Sequence, residues 1–141
     1  MRASFVVDSS AALPWLLEDE KTPASEALLE RLINGGERAV APPLLRYEVS
    51  NAMAMAVKRK RITKEVMREA LDFFSLLPID LDDDSNHLVL TSAQTVAGKH
   101  SLTIYDAVYL DLAGRLGLPL ASNDDALTKA AQSEGVPLVK V

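Results

Sequence analysis

Short β-rich runs alternate along the chain with longer stretches in which apolar residues recur every three or four positions. The short runs, at Ser4–Asp8, Arg38–Ala41, Leu77–Leu81, Pro119–Ser122 and Leu138–Val141, are mostly flanked by Pro, Gly or Asp and read as strands. Helical spacing is clearest in Leu28, Leu29, Leu32 and Ile33 before Gly35-Gly36, and in Val66, Met67, Ala70, Leu71 and Phe74 after the cap residue Thr63. Further helices are expected near Ala11–Leu17, Leu44–Lys58, Asp84–Ala97, Ile104–Leu116 and Ala126–Ser133, with Gly98, Gly117 and Gly135 as stop signals. This alternation predicts an α/β fold in which helices cover both faces of a parallel five-stranded sheet. No repeat, low-complexity segment or linker interrupts the pattern, so one domain over residues 1–141 is expected.

The length of 141 residues suits one core. With 48% hydrophobic and 25% charged residues, disorder is not expected. The lack of cysteine removes disulfide scaffolds, thiolate nucleophiles, Cys-ligated zinc and iron–sulfur clusters together, and fits a reducing, cytoplasmic setting. The first apolar run, Phe5-Val6-Val7, ends on Asp8, too soon for the core of a signal peptide, and no apolar stretch is long enough to span a membrane. A net charge of −5 argues against a surface coated with nucleic acid. The segment Arg46–Arg68 nevertheless carries seven basic against two acidic residues, a local +5.

Dinucleotide-fold, P-loop and nucleophile-elbow glycine motifs are all missing, and the two histidines, His87 and His100, suit surface or capping roles. Chemistry therefore falls to carboxylates placed where a solvated charge has no reason to be. Asp8 and Asp124 each follow a strand, at the sheet edge that borders the ligand crevice in open parallel sheets; both are also plausible helix caps, but Ser9 and Ser10 suffice to cap the helix after Asp8, which puts its crevice role first. Asp125 shares the ambiguity of Asp124. Glu48 falls within the apolar stripe of Leu45, Val49, Ala52, Met53 and Ala56; the plainer alternatives are a surface acid at the edge of the stripe, or one paired with Arg46 or Arg61. Asp106 follows Thr103 by three residues in a capping-box spacing, but it opens a helix that is apolar almost all round. The run Asp82-Asp83-Asp84 reads as a solvated loop with a cap, and Trp15 and Tyr109 as core. The basic run Lys58, Arg59, Lys60 and Arg61 suits a solvated helix end and could also contact phosphates.

Four segments in this order, Val6-Val7-Asp8-Ser9-Ser10, Tyr47-Glu48-Val49-Ser50-Asn51-Ala52, Leu102 to Tyr109 and Leu120 to Leu127, resemble those of PIN-domain ribonucleases, in particular the small VapC-type toxins of toxin–antitoxin pairs. The resemblance implies a parallel sheet with acids gathered at its carboxyl edge. It implies that Asp8, Glu48, Asp106 and Asp124 bind metal, with Ser9 or Ser122 as hydroxyl helpers and Asp125 as a neighbour able to share the role of Asp124. It further implies an RNA substrate, a cognate antitoxin and a homodimer. Carboxylates without thiolate or clustered histidine form a hard oxygen site suited to Mg2+ or Mn2+. Two other readings compete. One is a haloacid dehalogenase-like phosphatase with Asp8 as nucleophile, disfavoured because Ser10 stands where its second acid belongs; the other is a non-catalytic PIN-like binding module.

Overall fold

The computed structural model describes residues 2–141. Strand β1 (Phe5–Val7) lies inside the sheet with all three residues buried, which is why its side chains are apolar in succession rather than alternation. It pairs in parallel with β2 (Ala39–Ala41) on one side and β4 (Leu120–Ala121) on the other, and β3 (Ile79–Leu81) lies outside β2, giving the order β3-β2-β1-β4. The chain thus steps outward from β1 to β3 and then returns across β1 to place β4. The sheet reverses its strand order between β1 and β4, and at such a switch point the loops leaving the carboxyl ends diverge and open a crevice.

The long connections are helical: α2 (Pro23–Ile33), α3 (Leu44–Lys58), α4 (Lys64–Leu76), α6 (Ser92–His100), α7 (Ile104–Leu116) and α8 (Asp125–Ser133), with short turns α1 (Ser9–Ala12) and α5 (Ser85–Leu88). Seven successive residues of α7, Ala107 to Ala113, are buried, so it is the central helix its all-round apolar sequence suggests; it packs on β1, β4, α6 and α8. It ends at Gly117, whose left-handed φ of 66° closes the helix onto the Ala113 carbonyl. α3 leaves the carboxyl end of β2, while α7 runs back toward the start of β4. Both helices therefore present their first turns to the crevice.

Several boundaries differ from those read in the sequence. The sheet has four strands, not five, among the described residues: Leu138 makes only an isolated bridge to Leu120, bracketed by two hydrogen bonds. The pairing stops there because β4 ends at Ala121, after which Ser122 is drawn toward Asp8. Ala11–Leu17 is not one helix; α1 gives way to a 3-10 turn at Leu13–Trp15 containing Pro14. Asp84–Ala97 is likewise broken into α5 and α6, where Ser92 at the start of α6 donates 2.8 Å to Asp111 on α7.

Asp82 is not a solvated loop residue. Its side chain is 14% exposed, takes 2.8 Å from Arg115, and accepts from both the backbone N–H (3.0 Å) and the hydroxyl (2.6 Å) of Ser85. Burial would raise its carboxyl, but Ser85 and Arg115 outweigh it and hold it below the ordinary value. Asp83 and Asp84 are exposed as expected.

Candidate active site

Asp8 is the first residue after β1 and is only 4% exposed. Its Oδ1 accepts from the Ala11 backbone N–H at 3.0 Å, capping α1, and from the Ser10 hydroxyl at 2.7 Å; its Oδ2 accepts from the Ser122 hydroxyl at 2.6 Å. The capping and crevice placements are therefore one and the same. Burial raises the Asp8 carboxyl, the Ser122 and Ser10 hydroxyls and the Ala11 N–H oppose it, and the charge of Asp106 adds to the rise.

The loop after β4 is stitched to the same point. The backbone N–H of Asp124 donates to Ser122 Oγ at 3.0 Å, and the backbone N–H of Asn123 donates to Ser10 Oγ at 2.7 Å. Asn123 Nδ2 reaches the Ser10 carbonyl at 3.1 Å. Asp124 caps α8, accepting 2.8 Å from the Leu127 N–H. It is half-buried, whereas Asp125, one residue on, is exposed. The contact to Asp8 comes from Ser10 rather than Ser9; the Ser9 hydroxyl acts on Glu48 instead.

Glu48 stands in the second turn of α3, half-buried and just off the buried line of Leu45, Val49, Met53 and Ala56. Its partner is neither Arg46 nor Arg61 but Tyr109, whose hydroxyl donates 2.6 Å to Oε1. Burial lifts the Glu48 carboxyl; the charges of Asp8 and Asp106 add to that, and the Tyr109 and Ser9 hydroxyls partly offset it. Asp106 lies in the first turn of α7, which Thr103 caps by accepting 3.2 Å from the Asp106 N–H. Burial and then the charge of Asp124 raise its carboxyl, with the Thr103 hydroxyl opposing.

The four acids read from the sequence thus face one crevice closely enough for each to act on at least one other, and no cation figures among the main influences on Asp8, Glu48 or Asp106. Among the described residues no three His, Asp or Glu side chains close tightly enough to enclose an ion by themselves. The donors are all oxygen, with the Ser10 and Ser122 hydroxyls on Asp8 and the Tyr109 hydroxyl on Glu48, a donor chemistry of the hard kind. Reading Tyr109 as core is right for its ring, which is 1% exposed, and misses its hydroxyl. Its spacing of three from Asp106 on one helix is the signal that could have found it. Ser10, two residues past a strand-end acid, carried a comparable signal.

The basic run lies apart, at the far end of α3. Lys58, Arg59 and Lys60 are exposed, but Arg61 is already engaged by Asp19 at 2.7 Å and Glu20 at 3.0 Å, so it is not the free phosphate contact its place in the run suggests.

Residues 5–132 match the model of the PIN domain family. A relative from Mycobacterium tuberculosis (strain CDC 1551 / Oshkosh), Ribonuclease VapC1, is 38% identical over 90 residues, 64% of this chain and 65% of the relative. The match thus spans a little under two thirds of that relative's length. Ribonuclease VapC3 of Pyrobaculum aerophilum is 28% identical over 128 residues, 88% of this chain and 92% of the relative. Among solved structures, the crystal structure of PAE2754 from Pyrobaculum aerophilum superposes with a TM-score of 0.66 at 24% identity, covering 91% of this chain and 84% of that one, which bears on the fold.

Proposed function

The chain belongs to the PIN domain family, and we propose that it is an endoribonuclease that hydrolyses RNA phosphodiester bonds with Mg2+ or Mn2+ and serves as the toxin of a toxin–antitoxin pair. The observation that carries the proposal is the convergence of Asp8, Glu48, Asp106 and Asp124 on the switch-point crevice with no basic side chain among the main influences on the first three. Left to themselves, such acids repel a phosphodiester. The two ribonuclease relatives support RNA as the substrate.

In this reading Asp8, Asp106 and Asp124 hold the cation, directly or through water, and Glu48 holds it or orients the attacking water. The bound ion would supply charge neutralisation for the phosphate and a more acidic water. Ser10 and Ser122 fix the Asp8 carboxylate, and Ser122 also secures the loop bearing Asp124. The Glu48 oxygen not engaged by Tyr109 would accept the proton of the incoming water as its oxygen bonds to phosphorus and the bond from phosphorus to the leaving ribose oxygen breaks, that oxygen taking a proton from solvent, with no covalent enzyme intermediate. The working setting is cytoplasmic. The proposed partners are a second copy of the chain and an antitoxin that seats a basic side chain among the acids, as an acidic pocket invites; co-purification that returns only an active lone monomer overturns this part.

Purified protein on a mixed RNA substrate tests the activity. Cleavage is expected with added Mg2+ or Mn2+, none with EDTA, and about a 100-fold loss or more in Glu48→Gln. Cleavage that survives exhaustive chelation removes the metal mechanism. Turnover of p-nitrophenyl phosphate in place of RNA favours the phosphatase reading, and no turnover of either favours the binding module.

A further inference from the structure

The hydrogen bond between Tyr109 and Glu48 joins two helices at the crevice, and neither end of it is explained by packing. The ring of Tyr109 is 1% exposed among core side chains, yet its one polar atom is spent on a carboxylate 61 positions away in sequence. A phenylalanine would fill the same volume. With the Glu48 carboxylate as acceptor, the hydroxyl is the donor of the pair. Glu48 in turn is unbranched and half-buried, with three side-chain bonds to turn about and, besides Tyr109, only the Ser9 hydroxyl acting on it. An acceptor pinned at 2.6 Å has lost most of that freedom before any ligand arrives.

We infer that Tyr109 is a positioning residue for the proposed active site: its hydroxyl holds Oε1 of Glu48 so that the other oxygen, Oε2, is presented to the crevice in one orientation. This rests on the proposed function for its catalytic consequence, although not for its structural one. A buried donor that fixes an acid bearing on a metal or a water is worth roughly 10–100-fold when removed. The placement has a simple origin in the fold. Asp106 and Tyr109 are three residues apart on α7, so the helix that supplies one acid to the crevice also supplies, one turn deeper, the clamp for an acid on α3.

The test is a double-mutant cycle on the full chain with Tyr109→Phe and Glu48→Gln, read in Mn2+-dependent RNA cleavage and in crystal structures of wild type and Tyr109→Phe. Tyr109→Phe is expected to lower kcat about 10-fold with KM unchanged, and to cost less than about 2-fold in the Glu48→Gln background, because the clamp has no carboxylate left to aim. Equal losses in both backgrounds would make Tyr109 a general packing residue and overturn the inference. Glu48→Asp is a second variant that leaves the core untouched: one methylene shorter, it should fall out of reach of the Tyr109 hydroxyl and decline in activity with Tyr109→Phe. Should wild type cleave no RNA, the proposed function fails by itself. The crystal structures then decide the clamp: a Glu48 carboxylate displaced in Tyr109→Phe sustains it, and one unmoved rejects it.

Discussion

Asp106 is the residue at which two roles pull in opposite directions. As an acid in the first turn of a helix it should stabilise α7, by about 0.3–1 kcal/mol. As one of four acids at a crevice it is repelled, and its carboxyl is held above the ordinary value by burial and by Asp124. A raised folded-state pKa means that folding disfavours the ionised form, so this contribution to stability is present at low pH and falls as pH rises through the raised value. At neutral pH, then, Asp106→Asn should melt about 1–3 °C above wild type in EDTA, yet lose most of the stabilisation that Mn2+ gives wild type. Thermal melts of both proteins in both conditions check it. A mutant that melts lower in EDTA and keeps the full Mn2+ gain would leave Asp106 as a cap alone.

The elements around α7 depend on a second polar cluster, centred on Arg115 in its last turn. Arg115 near the end of α7 bonds Asp82 at 2.8 Å and Asp111 at 3.3 Å, and Ser92 adds 2.8 Å to Asp111, tying the loop after β3, α5 and α6 to the helix that carries Asp106 and Tyr109. Because the Asp82 carboxyl is held below its ordinary value, its contribution is full above about pH 4 and is lost as pH falls through the depressed value. Asp82→Asn should therefore destabilise by about 1–3 kcal/mol at pH 7. In urea titrations the gap from wild type should close as the pH is lowered; a gap that persists unchanged in acid would argue against the ion pair. This cluster also shows where reading elements from sequence fails. The strands around β1 are legible as short apolar runs, the helices α2, α3 and α4 by an apolar period of their own, and α7 by being apolar almost all round. The break between α5 and α6, the missing fifth strand and the burial of Asp82 depend on partners 19 to 114 positions away, and no local pattern carries them. The site divides in the same way. Four acids could be picked from their strand-end and helix-face positions; Ser10 and Tyr109 carry only a short spacing from two of those acids, and the partners Ser122 and Glu48 are fixed when β1 meets β4 and α3 meets α7.

At the scale of the molecule, a chain of net charge −5 concentrates its positive charge near the end of α3. The engagement of Arg61 by Asp19 and Glu20 narrows the expected RNA-binding surface to Lys58, Arg59 and Lys60. Replacing Lys58 and Lys60 with Ala should reduce the slope of log K against log salt by about 0.7 for each phosphate interaction removed, while Arg61→Ala should change it little. An unchanged slope in the double mutant would return the whole run to a solvated helix end. The strand order has a further consequence, one of timing. β1 is made before its sheet neighbour β4, and Ser122, which fixes Asp8, follows Asp8 by 114 residues. At about 5–20 residues per second, roughly 6–23 s of synthesis separate the two. Until then the nascent chain has Asp8 without its second clamp and lacks Asp124 altogether. Under the proposed function, a chain that cuts RNA has no complete site until the last of its acids is made, long after the first.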